Sequence, residues 1–309
     1  MIKNRIIVVF CHTRPKKLKN LIDDLSRNTF FGKIKILFIQ DGLDYKLASK
    51  ELKDEHLKVK KIIDTFEKKH PNFVEKKFKL KNCGLASTIE NNLDELAKIY
   101  DSIIVLEDDL CISKNLIFLM SNLLDYFEED KRIFHINAWA PPNLSYFMES
   151  KIVLTKMMYC WGWATWSNRW IEYRKSETIK KKEYLNFFKL LKFDYFGLAG
   201  HYYQLNMNWK LKKKTWAIFW QLYMWSKNYY CLSISKSITR NNGLDKGENH
   251  QFILKNSYFS KVIGGEINED INIKFIEPRK NFLFELRIIL QLFLRNIGIA
   301  LNKIKTVFK

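Results

Sequence analysis

The sequence is poor in cysteine, and its five cysteines form no recognisable pattern. They are an odd number, lie far apart and include no CxxC pair, which argues against a zinc site and a disulfide framework. The chain also lacks an uninterrupted apolar run of about 18 residues, so it predicts no membrane-spanning helix. The apolar run near residue 6 is too short for a signal peptide. These absences favour a protein of the reducing cytosol.

Acidic residues are scarce relative to basic ones. The chain carries 53 Lys and Arg residues against 33 Asp and Glu residues, a formal net charge of +20. This imbalance favours an anionic partner, such as nucleic acid, a phospholipid surface or a phosphorylated small molecule. Hydrophobic residues make up 47% of the chain, which is enough for a sizeable buried core and argues against disorder.

The first 137 residues alternate short apolar runs with helical patterns. The apolar runs are rich in β-branched residues and have the length of buried strands. The predicted strands are 6–10, 34–39, 74–80, 103–106 and 133–137. Helices are predicted over 15–28 and 46–70, from a capping box at Ser87–Glu90, and from about Ser113. This alternation predicts a mostly parallel sheet with flanking helices.

Three consecutive acids follow the apolar run 103–106. Glu107, Asp108 and Asp109 stand at the carboxyl end of that predicted strand, and adjacent carboxylates repel one another unless a cation lies among them. In an open α/β sheet, ligands bind at the carboxyl ends of the strands. A hard divalent cation that holds a phosphorylated substrate would meet both conditions. The alternative is an exposed turn whose acids face water.

Other polar residues follow the neighbouring predicted strands. Arg14 can reach a phosphate at the N-terminus of the first helix. Asp41 can accept a hydrogen bond from a base or ribose, and Gly42 lets a ligand approach the backbone. Asn82 and Gly84 precede the third helix and can line the same crevice. Each is by itself an ordinary loop residue, but their order along one half of the sheet favours a single ligand crevice.

These motifs, taken in order, carry a resemblance to a known family. The set comprises Arg14-Pro15, Gln40-Asp41-Gly42, Asn82-x-Gly84-Leu85 and Glu107-Asp108-Asp109-Leu110, followed by the Trp-rich segments 161–170 and 215–220 and by Asn242-Gly243-Leu244-Asp245-x-Gly247-x-x-His250. It resembles the GT-A glycosyltransferases and, more narrowly, bacterial sugar transferases related to the N-acetylglucosaminyltransferase I family. The likeness spans roughly residues 5–252.

The resemblance implies an α/β fold of the GT-A, Rossmann-like type. This fold would combine a mostly parallel mixed sheet and flanking helices with an aromatic-rich C-terminal half and a terminal amphipathic helix. The glycosyltransferase domain would cover 1–278, with a nucleotide-sugar-binding half at 1–137 and an acceptor half at 138–278. The implied reaction is transfer of a sugar from a nucleoside-diphosphate donor, first of all a UDP-sugar, to a glycan acceptor, with inversion. Bacterial surface polysaccharide or lipopolysaccharide synthesis is the expected setting.

The resemblance also implies roles for single residues. Asp109 would bind the Mn²⁺ or Mg²⁺ ion that bridges the donor diphosphate. Glu107 and Asp108 would hold the ribose or the donor sugar. Asp41 would contact the nucleotide base, and Arg14 the diphosphate. This division of roles fits the chemistry, because a divalent cation stabilises the charge that builds up on the leaving nucleoside diphosphate.

The general base is the weak point of the resemblance. The family carries acids in its downstream Trp-flanked segment, whereas this chain has Ala217, Ile218 and Phe219 between Trp216 and Trp220. An inverting transfer still needs a group that takes the acceptor's proton. The candidates for this base are, in order, Asp245, Glu248 and Glu172, and His250 is a candidate for contact with the diphosphate.

All nine tryptophans lie beyond residue 138, in a half expected to consist of helices and loops. Trp163, Trp166 and Trp170 are spaced as on the buried face of a helix, which predicts a core role. Aromatic faces also stack on sugar rings, and Trp161 is the candidate for such an acceptor platform.

The terminal segment 279–309 is apolar at helical spacing and basic. From Leu286 onward it carries five Lys or Arg residues and no acid, a pattern typical of an amphipathic helix on an anionic membrane. The alternative is a helix packed on the domain or on a second copy. The membrane interpretation predicts a cytoplasmic protein peripheral to the inner face of the cell membrane.

Two other classes of function remain open at this stage. The net charge and the aromatics also fit a basic nucleic-acid-binding protein. However, no nucleic-acid-binding module is recognisable, and nucleic acid is not the expected partner. The missing acids at 217–219 also fit a non-catalytic scaffold in a glycan-assembly complex.

Overall fold

The computed structural model describes residues 4–141, 152–176, 186–212, 214–243, 267, 269 and 277–307, with side chains of the last helix described to residue 297. Nine of the described strands form one mixed sheet in the order β11-β7-β9-β6-β8-β4-β1-β2-β3. A separate pair, β5 and β10, is antiparallel. The strands are β1 (Arg5–Cys11), β2 (Lys35–Gln40), β3 (Val74–Phe78), β4 (Ser102–Glu107), β5 (Leu110–Ile112), β6 (Ile133–Asn137), β7 (Ile152–Thr155), β8 (Trp163–Trp166), β9 (Tyr230–Ile234), β10 (Thr239–Asn241) and β11 (Arg279–Lys280).

Helices cover both faces of the sheet. They are α1 (Pro15–Ser26), α2 (Lys50–Lys69), α3 (Leu85–Leu96), α4 (Leu116–Tyr126), α5 (Ser167–Arg174), α6 (Phe187–Phe193), α7 (His201–Trp209), α8 (Ala217–Ser226) and α9 (Phe282–Val307). Apolar residues of α1, α2 and α4 pack on one face, and those of α3 and α5–α8 pack on the other. Both faces of the central strands are therefore buried, which explains their continuous β-branched runs.

The fold class predicted from the sequence is confirmed. Five of the strand pairings in the large sheet are parallel and three are antiparallel, and helices flank both faces. The expectation that the half beyond residue 138 consists of helices and loops is wrong, because β7, β8, β9 and β11 of that half lie in the same sheet as the earlier strands. No helix in the described ranges is both long enough and apolar enough to cross a bilayer.

Two local predictions are wrong. The third helix begins at Leu85 rather than at a capping box, because Gly84, with φ +74°, is the N-cap three residues before Ser87. Trp163 and Trp166 lie in strand β8 rather than on a helix. Strand residues three apart face opposite sides, so Trp163 packs with the helices of one face and Trp166 with those of the other.

His135 is a fully satisfied core residue of β6, as its central strand position predicts. Its Nε2–H donates to the carbonyl of Tyr159 (3.2 Å), and its Nδ1 accepts the indole N–H of Trp220 (3.2 Å). The ring also stacks on Trp163 at 5.0 Å. Protonation would set a second N–H against the indole donor, and burial lowers the pKa of His135 to about 3.

The protein is therefore expected to lose stability in weak acid through His135. Below the unfolded-state pKa of about 6.5, only the unfolded chain takes up this proton, so near pH 5 the cost is about 2 kcal/mol relative to neutral pH. Urea unfolding at both pH values measures the loss. His135→Gln keeps a hydrogen-bond donor and an acceptor but has no titrating ring. Between neutral pH and pH 5 its unfolding free energy should therefore fall by about 2 kcal/mol less than that of the wild type. Equal losses in both proteins would contradict the assignment.

Candidate active site

The acidic triplet lies where the central parallel strands end. Glu107, the last residue of β4, is opposite Phe10 in β1, and Cys11 of β1 is opposite Gln40 of β2. The N–H of Asp108 donates to the carbonyl of Phe10 (3.0 Å). The residues that follow β1, β2 and β4 therefore meet at one edge of the sheet, as the motif order predicts.

Arg14 lies among the acids. Its Nη2 is 2.5 Å from Asp108 Oδ1, and its Nη1 is 2.6 Å from Asp109 Oδ2. Asp108 is fully buried and Asp109 is 7% exposed, so the alternative of a water-facing turn is wrong. Burial raises the pKa of Asp108 to about 6 even though the Arg14 guanidinium opposes the shift. The chain thus supplies a cation of its own to acids that could not otherwise be charged together.

Within the part of the chain that the structure describes, two buried carboxylate oxygens of this cluster accept no hydrogen bond, Asp108 Oδ1 and Asp109 Oδ1. Asp108 Oδ1 still forms an ion pair with Arg14 Nη2, whereas Asp109 Oδ1 has no partner among these residues. A buried charged oxygen without a donor is costly, and native sites of this kind usually serve a ligand. A hard divalent cation would satisfy it, since carboxylate and phosphate oxygens are the ligands that Mg²⁺ and Mn²⁺ prefer.

The residues present fit a metal shared with a substrate rather than one held by protein alone. In the described ranges, no group of three His, Cys, Asp or Glu side chains is arranged around a metal position. Mg²⁺ in nucleotide sites is commonly bound by one or two carboxylates together with substrate phosphates and water. Asp109 suits that mode, because its unpartnered Oδ1 would supply one ligand to the cation and substrate phosphates and water would supply the others.

The segment after β10 closes over Asp109. Because β10 pairs with β5, the N–H of Asn242 donates to the carbonyl of Asp109 (2.8 Å), and Lys17 Nζ donates to the carbonyl of Asn242 (2.8 Å). A Cβ atom on Gly243 would lie 1.9 Å from Asp109 Oδ2. Any side chain at this position would therefore displace the carboxylate of Asp109 or the segment itself. Lys17 is not predicted from the sequence, since a Lys on a helix carries no signal of its own.

His12 connects the acids to the end of β2, and the sequence alone assigns it no role. Its backbone N–H donates to Asp108 Oδ2 (3.2 Å), and its ring nitrogen Nε2 lies 3.1 Å from the carbonyl of Gly42. Gln40 Nε2 in turn donates to the carbonyl of His12 (3.0 Å). The only signal in the sequence is its place between Cys11 and Arg14.

Asp41 and Gly42 fix the turn beside the crevice. The buried Asp41 accepts the N–H of Gly42 (3.0 Å) and of Cys83 (3.1 Å) on Oδ1. A Cβ atom on Gly42 would lie 2.4 Å from the carbonyl carbon of Lys81. Asp41 and Gly42 thus lie next to the turn at residues 81–83. The group that approaches Gly42 closely is the backbone of Lys81 rather than a ligand.

Asn82 and Gly84 continue that turn into α3. Asn82 Oδ1 accepts the N–H of Gly84 (2.9 Å). Gly84 is exposed, and a Cβ atom on it would have no neighbouring atom within 4 Å. Both residues therefore lie on an exposed turn that the N–H of Cys83 connects to Asp41, and their place at the rim of a crevice stays a prediction.

Trp161 and Glu172 are placed very differently. Trp161 is partly buried, packs edge-on against Trp139 at 4.8 Å, and accepts the Thr239 hydroxyl on its carbonyl (2.5 Å). It is therefore tied to β10, the strand that leads to Gly243. Glu172 accepts the hydroxyls of Tyr223 (2.6 Å) and Tyr229 (3.0 Å).

Glu172 lies at the wrong end of the sheet for a base. Its helix α5 directly follows Trp166, which pairs with Ser102 at the amino end of β4. Five strand residues at about 3.3 Å each, roughly 16 Å, separate Ser102 from Glu107. The prediction of Glu172 as a base acting beside the acidic triplet is wrong for this reason. Asp245, Glu248 and His250 lie outside the described residues.

Comparison with solved structures finds similarities at low sequence identity. No protein-family model matches the chain, and no curated protein matches it. A mannosyltransferase from Pyrobaculum calidifontis, PcManGT, in complex with GDP-Man and Mn²⁺, is 7% identical over 53% of this chain and 45% of its own, with a TM-score of 0.37.

Two structures of S. aureus TarS 1-349 are also similar. One is 12% identical over 57% of this chain and 49% of its own, with a TM-score of 0.38. The other, in complex with UDP, is 10% identical over 43% of this chain and 34% of its own, with a TM-score of 0.31. The chain spans less than half the length of each of these proteins. Likeness at this level assigns no family, and the relation to the N-acetylglucosaminyltransferase I family stays a prediction.

Proposed function

We propose that the protein is a metal-dependent glycosyltransferase that moves a sugar from a nucleoside-diphosphate donor, first of all a UDP-sugar, to a glycan acceptor. The setting we propose is synthesis of bacterial surface polysaccharide or lipopolysaccharide, with inversion at the transferred sugar. The observation that carries the proposal is the cluster at the ends of β1 and β4, in which Arg14 pairs with Asp108 and Asp109 while Asp109 Oδ1 has no partner among the described residues.

Asp109 and Arg14 bind the diphosphate from two sides in this proposal. Asp109 holds Mn²⁺ or Mg²⁺ through its buried oxygen, and the cation supplies Lewis-acid stabilisation of the leaving nucleoside diphosphate. The Arg14 side chain is 36% exposed at the N-terminus of α1. A guanidinium and free helix N–H groups at one place form a good site for phosphate oxygens.

The neighbouring residues position the rest of the donor. Asp41 contacts the nucleotide base, and its orientation is set by the two backbone N–H groups it accepts. Glu107 holds the ribose or the donor sugar, and Asn82 and Gly84 form the rim. Asp108, for which the resemblance implies the same contact, is fully buried and instead holds Arg14 in place. Trp161 stacks on the acceptor sugar, for which its partial exposure beside β10 is suitable.

Asp245 is the proposed general base, with Glu248 as the second candidate and His250 as a further contact to the diphosphate. The support is chain length. Asp245 follows Gly243 by two residues, and two residues span at most about 7 Å. Since Gly243 lies against the carboxylate of Asp109, Asp245 starts from the immediate neighbourhood of the proposed metal.

The test is incubation of the full chain with a panel of UDP- and GDP-sugars. In the presence of Mn²⁺ we expect slow release of nucleoside diphosphate from one donor, and no release when EDTA is added. The proposal is contradicted if no donor binds or is hydrolysed with any divalent metal. Donor binding without turnover on glycan acceptors would favour a scaffold instead. Salt-sensitive retention of RNA without donor binding would favour a nucleic-acid-binding protein.

A further inference from the structure

The last helix, α9, is oriented with its apolar side chains outward. Between residues 282 and 297, the part of the helix whose side chains are described, every exposed residue is apolar. The exposed side chains and their exposures are Phe282 78%, Leu283 54%, Leu286 44%, Ile289 40%, Phe293 51%, Leu294 37% and Ile297 36%. A helix on the surface of a soluble domain normally shows the reverse pattern.

Two arginines in the described part of α9 point into the protein. Arg287 is 3% exposed and donates to the carbonyls of Ser235 (3.1 Å) and Pro141 (2.5 Å). Arg295 donates to the carbonyls of Leu198 (2.8 Å) and Ala199 (3.0 Å). These hydrogen bonds fix the rotation of the helix about its axis and so determine which side chains face outward.

The inner side of α9 is nevertheless packed. Phe284, Ile288 and Leu292 are buried in a cluster with residues of β7 and of the segment before α7. The alternative that the terminal helix packs on the domain thus holds for this inner side. The basic residues Arg287 and Arg295, which the sequence pattern assigns to a lipid surface, instead hold the helix on the protein.

The turn just before Leu198 and Ala199, whose carbonyls Arg295 contacts, also presents an aromatic side chain. Phe196, in the short 3₁₀ turn Tyr195–Gly197, is 77% exposed and adopts φ +56°. A bulky residue in the left-handed region costs about 1–2 kcal/mol, and strain of this kind often accompanies a functional position. Phe187 and Phe188 of the adjacent helix α6 are 67% and 75% exposed.

Basic residues flank the apolar stripe along the chain. Arg279 and Lys280, just before the helix, are exposed, Lys303 and Lys305 follow in its last third, and Lys309 comes two residues after its end in the sequence. The whole chain carries +20. An apolar stripe between basic ends fits a surface with a hydrocarbon interior and anionic head groups better than it fits a second copy of a chain with the same positive charge.

We propose that the outward stripe of α9 (Phe282, Leu283, Leu286, Ile289, Phe293, Leu294 and Ile297), with Phe196 beside it, docks flat on an anionic phospholipid bilayer. The helix is 26 residues long, about 39 Å at 1.5 Å per residue, and lies in the interface with its arginines still bound to the domain. The outward residues insert among the acyl chains, and the basic flanks contact the head groups. This surface is independent of the sugar-transfer proposal.

Flotation of the full-length protein with lipid vesicles tests the surface. We expect binding to phosphatidylcholine vesicles that contain phosphatidylglycerol and weak binding to phosphatidylcholine alone. The triple variant Leu286→Ser, Ile289→Ser, Phe293→Ser changes one stripe and no residue that holds the helix. Its partitioning should fall at least about 30-fold, since each side chain loses most of its apolar burial in the bilayer.

A matched control removes equal numbers of exposed apolar residues elsewhere. Leu47→Ser, Leu57→Ser, Ile99→Ser changes side chains that are 86%, 50% and 63% exposed, and it should bind vesicles as the wild type does. Unfolding curves of both triple variants should match the wild type. Equal partitioning of the two variants overturns the proposal. So does a stable dimer in sedimentation velocity without lipid that the α9 variant alone converts to monomer.

Discussion

Replacing Asp109 with asparagine is expected to lower kcat/KM for sugar transfer about 10³-fold while leaving the protein folded. The amide keeps the shape of the side chain, but it removes the charge that pairs with Arg14 and the buried oxygen proposed to hold the metal. Loss of a Lewis acid from the leaving group removes several kcal/mol of transition-state stabilisation. Steady-state release of the nucleoside diphosphate measures the effect.

Asp125→Asn is the matched control for that substitution. Asp125 also accepts from an arginine, Arg5 Nη2 at 2.7 Å, but it does so at the amino end of β1 and is half-exposed. The control should retain the wild-type rate within a factor of two or so. If the two variants keep equal activity, Asp109 is not the metal ligand.

Gly243→Ala is the second substitution with a large expected effect. The new methyl group would lie 1.9 Å from Asp109 Oδ2, which Arg14 Nη1 holds at 2.6 Å, and the N–H of Asn242 fixes the backbone carbonyl of Asp109. Either the carboxylate or the segment after β10 must move. Because a displacement of about 1 Å at a catalytic group commonly costs 10²-fold in rate, we expect kcat/KM to fall by about that factor. Stability should change little, since the segment lies at the end of a short strand.

Gly197→Ala separates rate from stability. A Cβ atom there meets nothing within 4 Å, but φ is +90°, so the variant should lose about 1 kcal/mol of unfolding free energy. Its activity towards a soluble donor should be unchanged. If Gly243→Ala instead keeps wild-type activity, the expected effect is contradicted. That result would show that the segment after β10 is free to move away from Asp109.

The part of the site that can be predicted from the sequence depends on local rules. The β-branched runs of β1 and β4 identify buried strands by themselves, and acids at a strand's carboxyl end point to the ligand-binding edge. These rules single out both Asp109 and Arg14. Their ion pair joins residues 95 positions apart, and it depends on the parallel register of β1 and β4, which no local pattern specifies.

The second half shows where local rules fail. Trp163 and Trp166 are three residues apart, a spacing that fits one face of a helix as well as two faces of a strand. Pairing with β4 and β6 decides between the two, and that pairing is long-range. Gly243 is a comparable case: its closeness to Asp109 arises from the β5–β10 pair, and glycine in a loop is otherwise uninformative.

For helix α9, the sequence predicts the position but not the orientation. Apolar spacing identifies a helix, and charge suggests that arginines face the lipid. The structure turns Arg287 and Arg295 inward because backbone carbonyls at Pro141, Ser235, Leu198 and Ala199 accept their donors. Such acceptors lie in loops distant in sequence, so the rotation of the helix cannot be derived from its own pattern.

Binding of Mn²⁺ in the presence of nucleotide tests the central claim most directly. Free Mn²⁺ gives an electron paramagnetic resonance signal that is lost on binding, so titration of the protein with Mn²⁺ and either UDP or GDP measures occupancy without any need for an acceptor. We expect one of the two nucleotides to promote stoichiometric Mn²⁺ binding in the wild type and in Asp125→Asn, and we expect Asp109→Asn to lose this binding. Equal Mn²⁺ binding by Asp109→Asn and the wild type would contradict the assignment of Asp109 as the metal ligand.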